Sequence, residues 1–240
     1  MSLRLLDLPL LLNTSDQDLF RDFFVPALAH AFRYDRGVGY FASGWLRLAA
    51  QGMVTFAAHG GRARWVTSPI LNQQDWEALL AGDEARLDPE LREILYRNVQ
   101  DLERSLEDDT LSALAWMIAD GVLSFKLALP RGKLDDGDFH DKFGIFTDLA
   151  GDQVSFNGSY NDSIQGTRNY ESIKVFRSWE PIFAPLVKSE QERFDRLWCN
   201  LDPNVRVFEV AEMTESMLRL RASERPYPAP GWLKHTICHC

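Results

Sequence analysis

Residues 36–67 place the strongest constraint on the fold. RGVGYF at 36–41 is a short apolar run that reads as a buried strand. Residues 44–58 then carry Leu46, Leu48, Ala49, Met53, Val54 and Phe56 at helical spacing and stop at Gly60-Gly61. RWVT at 64–67 reads as a second strand, closed by Ser68-Pro69. Strand, helix, Gly-Gly and strand in that order form a crossover unit, and a crossover joins parallel strands.

The rest of the chain continues in mixed fashion. Residues 1–12 are leucine-rich but interrupted by Asp7 and Pro9, so they read as a first strand or arm and not as a signal peptide. Residues 75–120 are helical in pattern: Asp88 caps a helix with Pro89 in its first turn, and Asp109 or Thr110 starts another that runs through Leu111, Leu114, Trp116, Met117 and Ile118 to Gly121. Strands are predicted at 122–129, 139–146, 153–156, 172–176 and 205–210, and helices at 184–198 and 211–221. This gives one α/β domain over 1–222, with an acidic helical segment at 75–120. A Pro-rich, flexible tail is predicted at 223–240.

The net charge is −9, which at first sight argues against a nucleic-acid partner. However, residues 75–120 hold 13 acidic and 4 basic side chains, and the remainder holds 22 of each sign. The acidity therefore belongs to one solvated helical face, and a neutral body is free to carry a local basic groove. The three cysteines, Cys199, Cys238 and Cys240, are odd in number and crowded toward the end. That is no disulfide framework, and a cytoplasmic setting is expected. No apolar run is long enough for a membrane span.

The chemistry concentrates in 139–176. His140 and Lys142 are two apart on a predicted strand, so they share a face and make an electropositive spot that suits a phosphate. Asn157-Gly158-Ser159-Tyr160-Asn161 offers amide and hydroxyl donors, and Gly158 lets an anion approach the backbone. Glu171 opens the next strand, where a carboxylate can receive one imidazole N–H and leave the other nitrogen to attack.

The order H-x-K, then G-S-x-N, then a carboxylate about ten positions later resembles the phospholipase D superfamily. His140, Lys142, Gly158, Ser159, Asn161 and Glu171 match its motif. The family's Asp is displaced: Asp148 follows Lys142 after five residues where the family has four. It is therefore either a turn residue or, like Gly158, a supporting member of the site. RGVGYF and the strand at 64–67 extend the likeness to the phospholipase D-like domains of bacterial helicase and restriction-type proteins.

The resemblance implies an α/β/α sandwich with a mixed, largely parallel sheet. It also implies a metal-independent phosphodiesterase without a cofactor. His140 attacks phosphorus and forms a phosphohistidine, while Lys142, Asn161 and Ser159 hold the non-bridging oxygens. The chain carries one motif only, so a second histidine is expected from His140 of another copy in a homodimer. Such a dimer is expected to bury the sheet edge that carries 139–146. The expected substrate is nucleic acid, DNA before RNA, in defence against foreign DNA. Arg225-Pro226-Tyr227 resembles the entry to a helicase domain. Two alternatives stand beside this: a non-catalytic nucleic-acid-binding or assembly module, and a phospholipid-directed phosphodiesterase.

Other candidates read as structural. His30 and His59 lie in helical, loop-flanked contexts and are expected to be surface or core side chains. His235, Cys238, His239 and Cys240 have metal-ligand chemistry but sit in the tail after ERPYPAPG.

Overall fold

The computed structural model describes residues 2–39, 52–68, 115–134, 137–160 and 169–209. Eight strands form one sheet: β1 (Leu11–Asn13), β2 (Arg33–Val38), β3 (Arg62–Thr67), β4 (Leu123–Pro130), β5 (Lys142–Thr147), β6 (Gln153–Gly158), β7 (Ser172–Arg177) and β8 (Val205–Phe208). Their order is β1-β7-β6-β5-β2-β3-β4-β8. The crossover read from 36–67 is present, because β2 and β3 are parallel and β3 and β4 continue the pattern. The other five ladders are antiparallel. The sheet is therefore mixed, and its parallel part is confined to β2-β3-β4.

The physical reason lies in the connections. The link between β5 and β6 spans only 148–152, too short for a crossover helix, so those two strands form an antiparallel hairpin. Strand β5 is interior, flanked by β2 and β6. The expectation that a dimer would bury β5 as a sheet edge is therefore wrong. β1 and β8 are the edges.

Alternation along the strands sends two sets of side chains to two layers. One face carries Tyr34, Trp65, Phe146, Val154, Phe156, Ile173 and Val175, all buried. Against it pack the π-helical turn Phe20–Phe24 and α1 (Val25–His30), with residues 52–58 and 115–119 also helical. Phe23 and Phe24 meet Phe156 edge-on at 5.1 and 5.4 Å, and Tyr34 stacks on Phe146 at 4.4 Å. Emptying this cluster with Phe156→Ala costs about 3–5 kcal/mol.

The other face carries Val66, Ala128, Phe143, Ile145 and Val207 beneath α2 (Ala184–Trp198), which contributes Phe194 and Leu197. Asp35 of β2 is fully buried there. Arg64 grips it bidentately, both contacts at 2.7 Å, and Gln191 of α2 donates to it at 3.0 Å. With both oxygens paired, the buried carboxylate is compensated and ties α2 to the sheet.

The helix bounds at 184–198 agree with the sequence reading. Predicted strand ends shift by up to three residues. The helical segment at 20–30 was not anticipated. Residues 44–51, most of the acidic segment (75–114), the segment 211–221 predicted as a helix and the tail lie outside the described residues.

Candidate active site

The strand directions bring several chain segments to one end of the sheet. β2 ends there at Val38 and β6 at Gly158, while β5 begins there at Lys142 and β7 at Ser172. This is also the carboxyl end of the parallel strands, where open α/β sheets bind ligands. His140, Lys142, Ser159 and Glu171 all arrive at this end.

His140 lies in the loop before β5 and is exposed. The strand begins at Lys142, not at 139, because Phe139 is buried as a loop residue in the α2-side core. Lys142 is 8% exposed. Its ammonium sits against the imidazole, 3.2 Å from Nδ1 and 3.4 Å from Nε2, and donates to the His140 carbonyl at 3.0 Å. The two residues thus share a spot.

Lys142 gives up its proton more readily than an ordinary lysine. Burial is the largest cause, and the positive charge of Arg36 is the second; Asp141 and Glu171 oppose the shift. Arg36 is the residue that the sequence reading passed over. It sits on β2, on the same face as Lys142, and is fully buried. The sequence reading opened a strand at Arg36, whereas the residue sits inside β2, three positions past its start.

Gly158 is required by packing. A Cβ there would stand 2.0 Å from the Ser172 carbonyl oxygen, so the missing side chain makes room for β7. Next to it, the Ser159 N–H donates to that same carbonyl at 3.1 Å, and its hydroxyl accepts from the Ser172 N–H at 3.2 Å. Its hydroxyl proton stays available to a ligand. Asn161 lies outside the described residues.

Glu171 is buried at 9% exposure. Its backbone is pinned by Thr14, whose N–H donates to the Glu171 carbonyl at 3.0 Å and whose hydroxyl accepts from the Glu171 N–H at 2.9 Å. Its carboxylate accepts from Asn169 at 3.5 Å and acts on Lys142 through its charge. Among the described residues, no hydrogen bond joins it to His140.

Asp148 is placed elsewhere. It is the first residue past β5, at the end opposite Lys142, and is buried. Its carboxylate accepts from the N–H groups of Leu3 (3.0 Å), Ala150 (2.9 Å) and Asp152 (3.0 Å). It closes the β5–β6 turn and fastens the N-terminal segment, and has no part in the site.

His30 Nδ1 contacts the Pro26 carbonyl at 2.9 Å within α1, and His59 is exposed. Among the described residues, no group of three or more His, Cys, Asp or Glu is placed to hold a metal ion. The cluster at 235–240 lies outside them. No described helix is long and apolar enough to cross a membrane.

No family model matches the chain, and no curated protein matches it. Solved structures do. NucT from Helicobacter pylori is 13% identical, with 82% of this chain and 99% of that chain covered at a TM-score of 0.43. Nuc from Salmonella typhimurium, a phospholipase D family member, is 11% identical, covering 83% and 97% at 0.43. Phosphatidylserine synthase from Haemophilus influenzae is 14% identical, covering 83% of this chain and 39% of that one at 0.47.

Proposed function

We propose that the chain is a phospholipase D-like phosphodiesterase that cleaves nucleic acid, DNA before RNA, without a metal ion. The observation that carries this reading is the contact of the Lys142 ammonium with the His140 ring, at 3.2 Å, at an exposed end of the sheet. A nucleophile-capable imidazole beside a fixed cation meets the needs of phosphoryl transfer, in which positioning and charge neutralisation supply most of the rate.

In this reading a His140 nitrogen attacks phosphorus in line. The N–P bond forms, the P–O bond to the leaving group breaks, and a proton passes to the leaving oxygen. Water then displaces His140 and restores the imidazole. Lys142 neutralises the charge that develops on the non-bridging oxygens, with Ser159 and Asn161 as further donors. The proton donor is His140 of a second copy, because one imidazole cannot stand on both sides of one phosphate. A setting in defence against foreign DNA, and association with a helicase, rest on the sequence resemblance alone.

The test is incubation with single- and double-stranded DNA and RNA in EDTA, with His140→Ala as control. Cleavage that survives chelation and vanishes in the variant supports the reading. Cleavage that needs added magnesium or zinc overturns the metal-independent mechanism. Binding without cleavage in the wild type points instead to a non-catalytic nucleic-acid-binding module.

A further inference from the structure

Arg36 is a guanidinium with no exposed surface, and Lys142, at the site end of the sheet, is nearly as buried. The β2–β5 register relates the two. Val38 faces Lys142 and Arg36 faces Gly144, so Arg36 and Lys142 are diagonal neighbours on one face, within roughly 7–8 Å of each other at their Cβ positions. Gly144 has no side chain to stand between the strands. The Arg36 guanidinium lies over the Phe156 ring, on the strand beyond Gly144, at 5.1 Å from its centroid. It donates to the Gly37 carbonyl at 3.4 Å and the Tyr160 carbonyl at 3.1 Å. Tyr160 follows the Gly158-Ser159 turn, so Arg36 also ties that turn to β2.

We propose that Arg36 is the inner half of a two-cation anion site whose outer half, against the exposed His140, is Lys142. It is a positioning residue that acts through Lys142 and the 158–160 turn without reaching the ligand. The ligand class is a phosphate anion, either a phosphodiester or free phosphate. The proposal deepens the phosphodiesterase reading and rests on it only for the ligand's identity.

Two consequences of opposite sign follow. Arg36 adds field to the site, so an anion binds more tightly when it is present. It also crowds Lys142, in the same direction as burial, so Lys142 loses its proton at lower pH than an ordinary lysine. Among the described residues, the other charged or titratable groups near Lys142 are the His140 ring, Asp141 beside it and Glu171 at the start of β7. The two carboxylates pull the other way.

The experiment measures binding of inorganic phosphate by calorimetry from pH 6 to 11 in the wild type, Arg36→Gln, Arg36→Met and Arg36→Lys. Met is included because its side chain packs well on Phe156 and so guards against misfolding of the Gln variant. Loss of the Arg36 charge is expected to weaken binding near neutral pH by roughly three- to ten-fold. It is also expected to move the alkaline loss of binding to higher pH, and Arg36→Lys restores both.

A structural role alone predicts weaker binding with the alkaline limb in place, so an unmoved limb in a folded charge-free variant overturns the proposal. If neither charge-free variant folds, the titration of 13C-methyl-labelled Lys142 in the wild type decides, with Lys142→Arg to assign the signal. Titration at the ordinary lysine position overturns the proposal. Phosphate binding that shifts as expected in a protein that cleaves no nucleic acid supports the two-cation site and removes the nuclease reading.

Discussion

Asp141, the residue between His140 and Lys142, is ion-paired to Arg193 of α2. One carboxylate oxygen accepts from the Lys142 N–H at 2.8 Å, and the other accepts from Arg193. Arg193 also binds Glu190 at 2.7 Å and lies 3.7 Å from the centre of the Phe143 ring. Strand alternation explains the division of labour: Lys142 faces the site, and its neighbours turn toward α2 and anchor the segment there.

Asp141→Ala is therefore expected to lower turnover about ten-fold, by loosening the placement of His140 and Lys142. The stability cost is about 1 kcal/mol, because the ion pair is partly exposed and one backbone hydrogen bond is lost. Asp141→Asn keeps an acceptor for the Lys142 N–H and should recover most of the rate. Wild-type turnover in Asp141→Ala would show that the anchor serves folding alone.

Lys142 should make folding less favourable at neutral pH. Its proton affinity in the folded chain is below the ordinary value of 10.5. Between the two values the unfolded chain binds more protons, so stability rises with pH there. Lys142→Met is expected to be more stable than the wild type near pH 7, with the difference narrowing as pH climbs toward 10.5. Chemical denaturation at several pH values checks this, and a pH-independent difference would contradict it. The same variant, like His140→Ala, should lose on the order of a thousand-fold or more in turnover, since it removes a charge partner of the reaction.

The helix at 184–198 was readable because Pro185 opens it and Val187, Phe194 and Leu197 keep its period. The segment at 20–30 was not, because a π-helical turn at FRDFF widens the spacing that marks an ordinary helix. Phe139 misled the start of β5, since an apolar residue in a buried loop looks like one in a strand. His140 and Lys142 were legible because their spacing is local. Arg36 was not, because its relation to Lys142 depends on pairing between strands 106 residues apart in sequence, and no local pattern encodes that register.

Glu171→Gln separates two roles for this carboxylate. Its charge raises the proton affinity of Lys142. The neutral variant should therefore lose phosphate binding at lower pH than the wild type, the reverse of the Arg36→Gln shift. Turnover should fall less than in His140→Ala, because the amide still accepts a hydrogen bond. An unchanged rate and an unchanged alkaline limb together would remove Glu171 from the site.

The working unit is expected to be a two-fold dimer in which the two His140 rings face each other across one phosphate. In-line displacement needs a nucleophile on one side of phosphorus and a proton donor on the other. His30 is engaged with Pro26 inside α1, and His59 is exposed at the end of another helix, so neither stands beside Lys142. The sheet restricts how two copies meet. β5 is interior, so they cannot pair through it edge to edge. They must approach end-on, through the face where β2 and β6 finish and β5 and β7 begin, which is where His140 is exposed. With about 3–3.5 Å between each ring and the phosphate, the two imidazoles should lie under about 10 Å apart. Light scattering should give twice 27.5 kDa. Mixing His140→Ala chains with wild-type chains should then depress activity more steeply than dilution predicts, because a mixed dimer lacks one of its two histidines. Activity that falls only in proportion to the wild-type fraction, or a fully active monomer, would show that one chain completes the site alone.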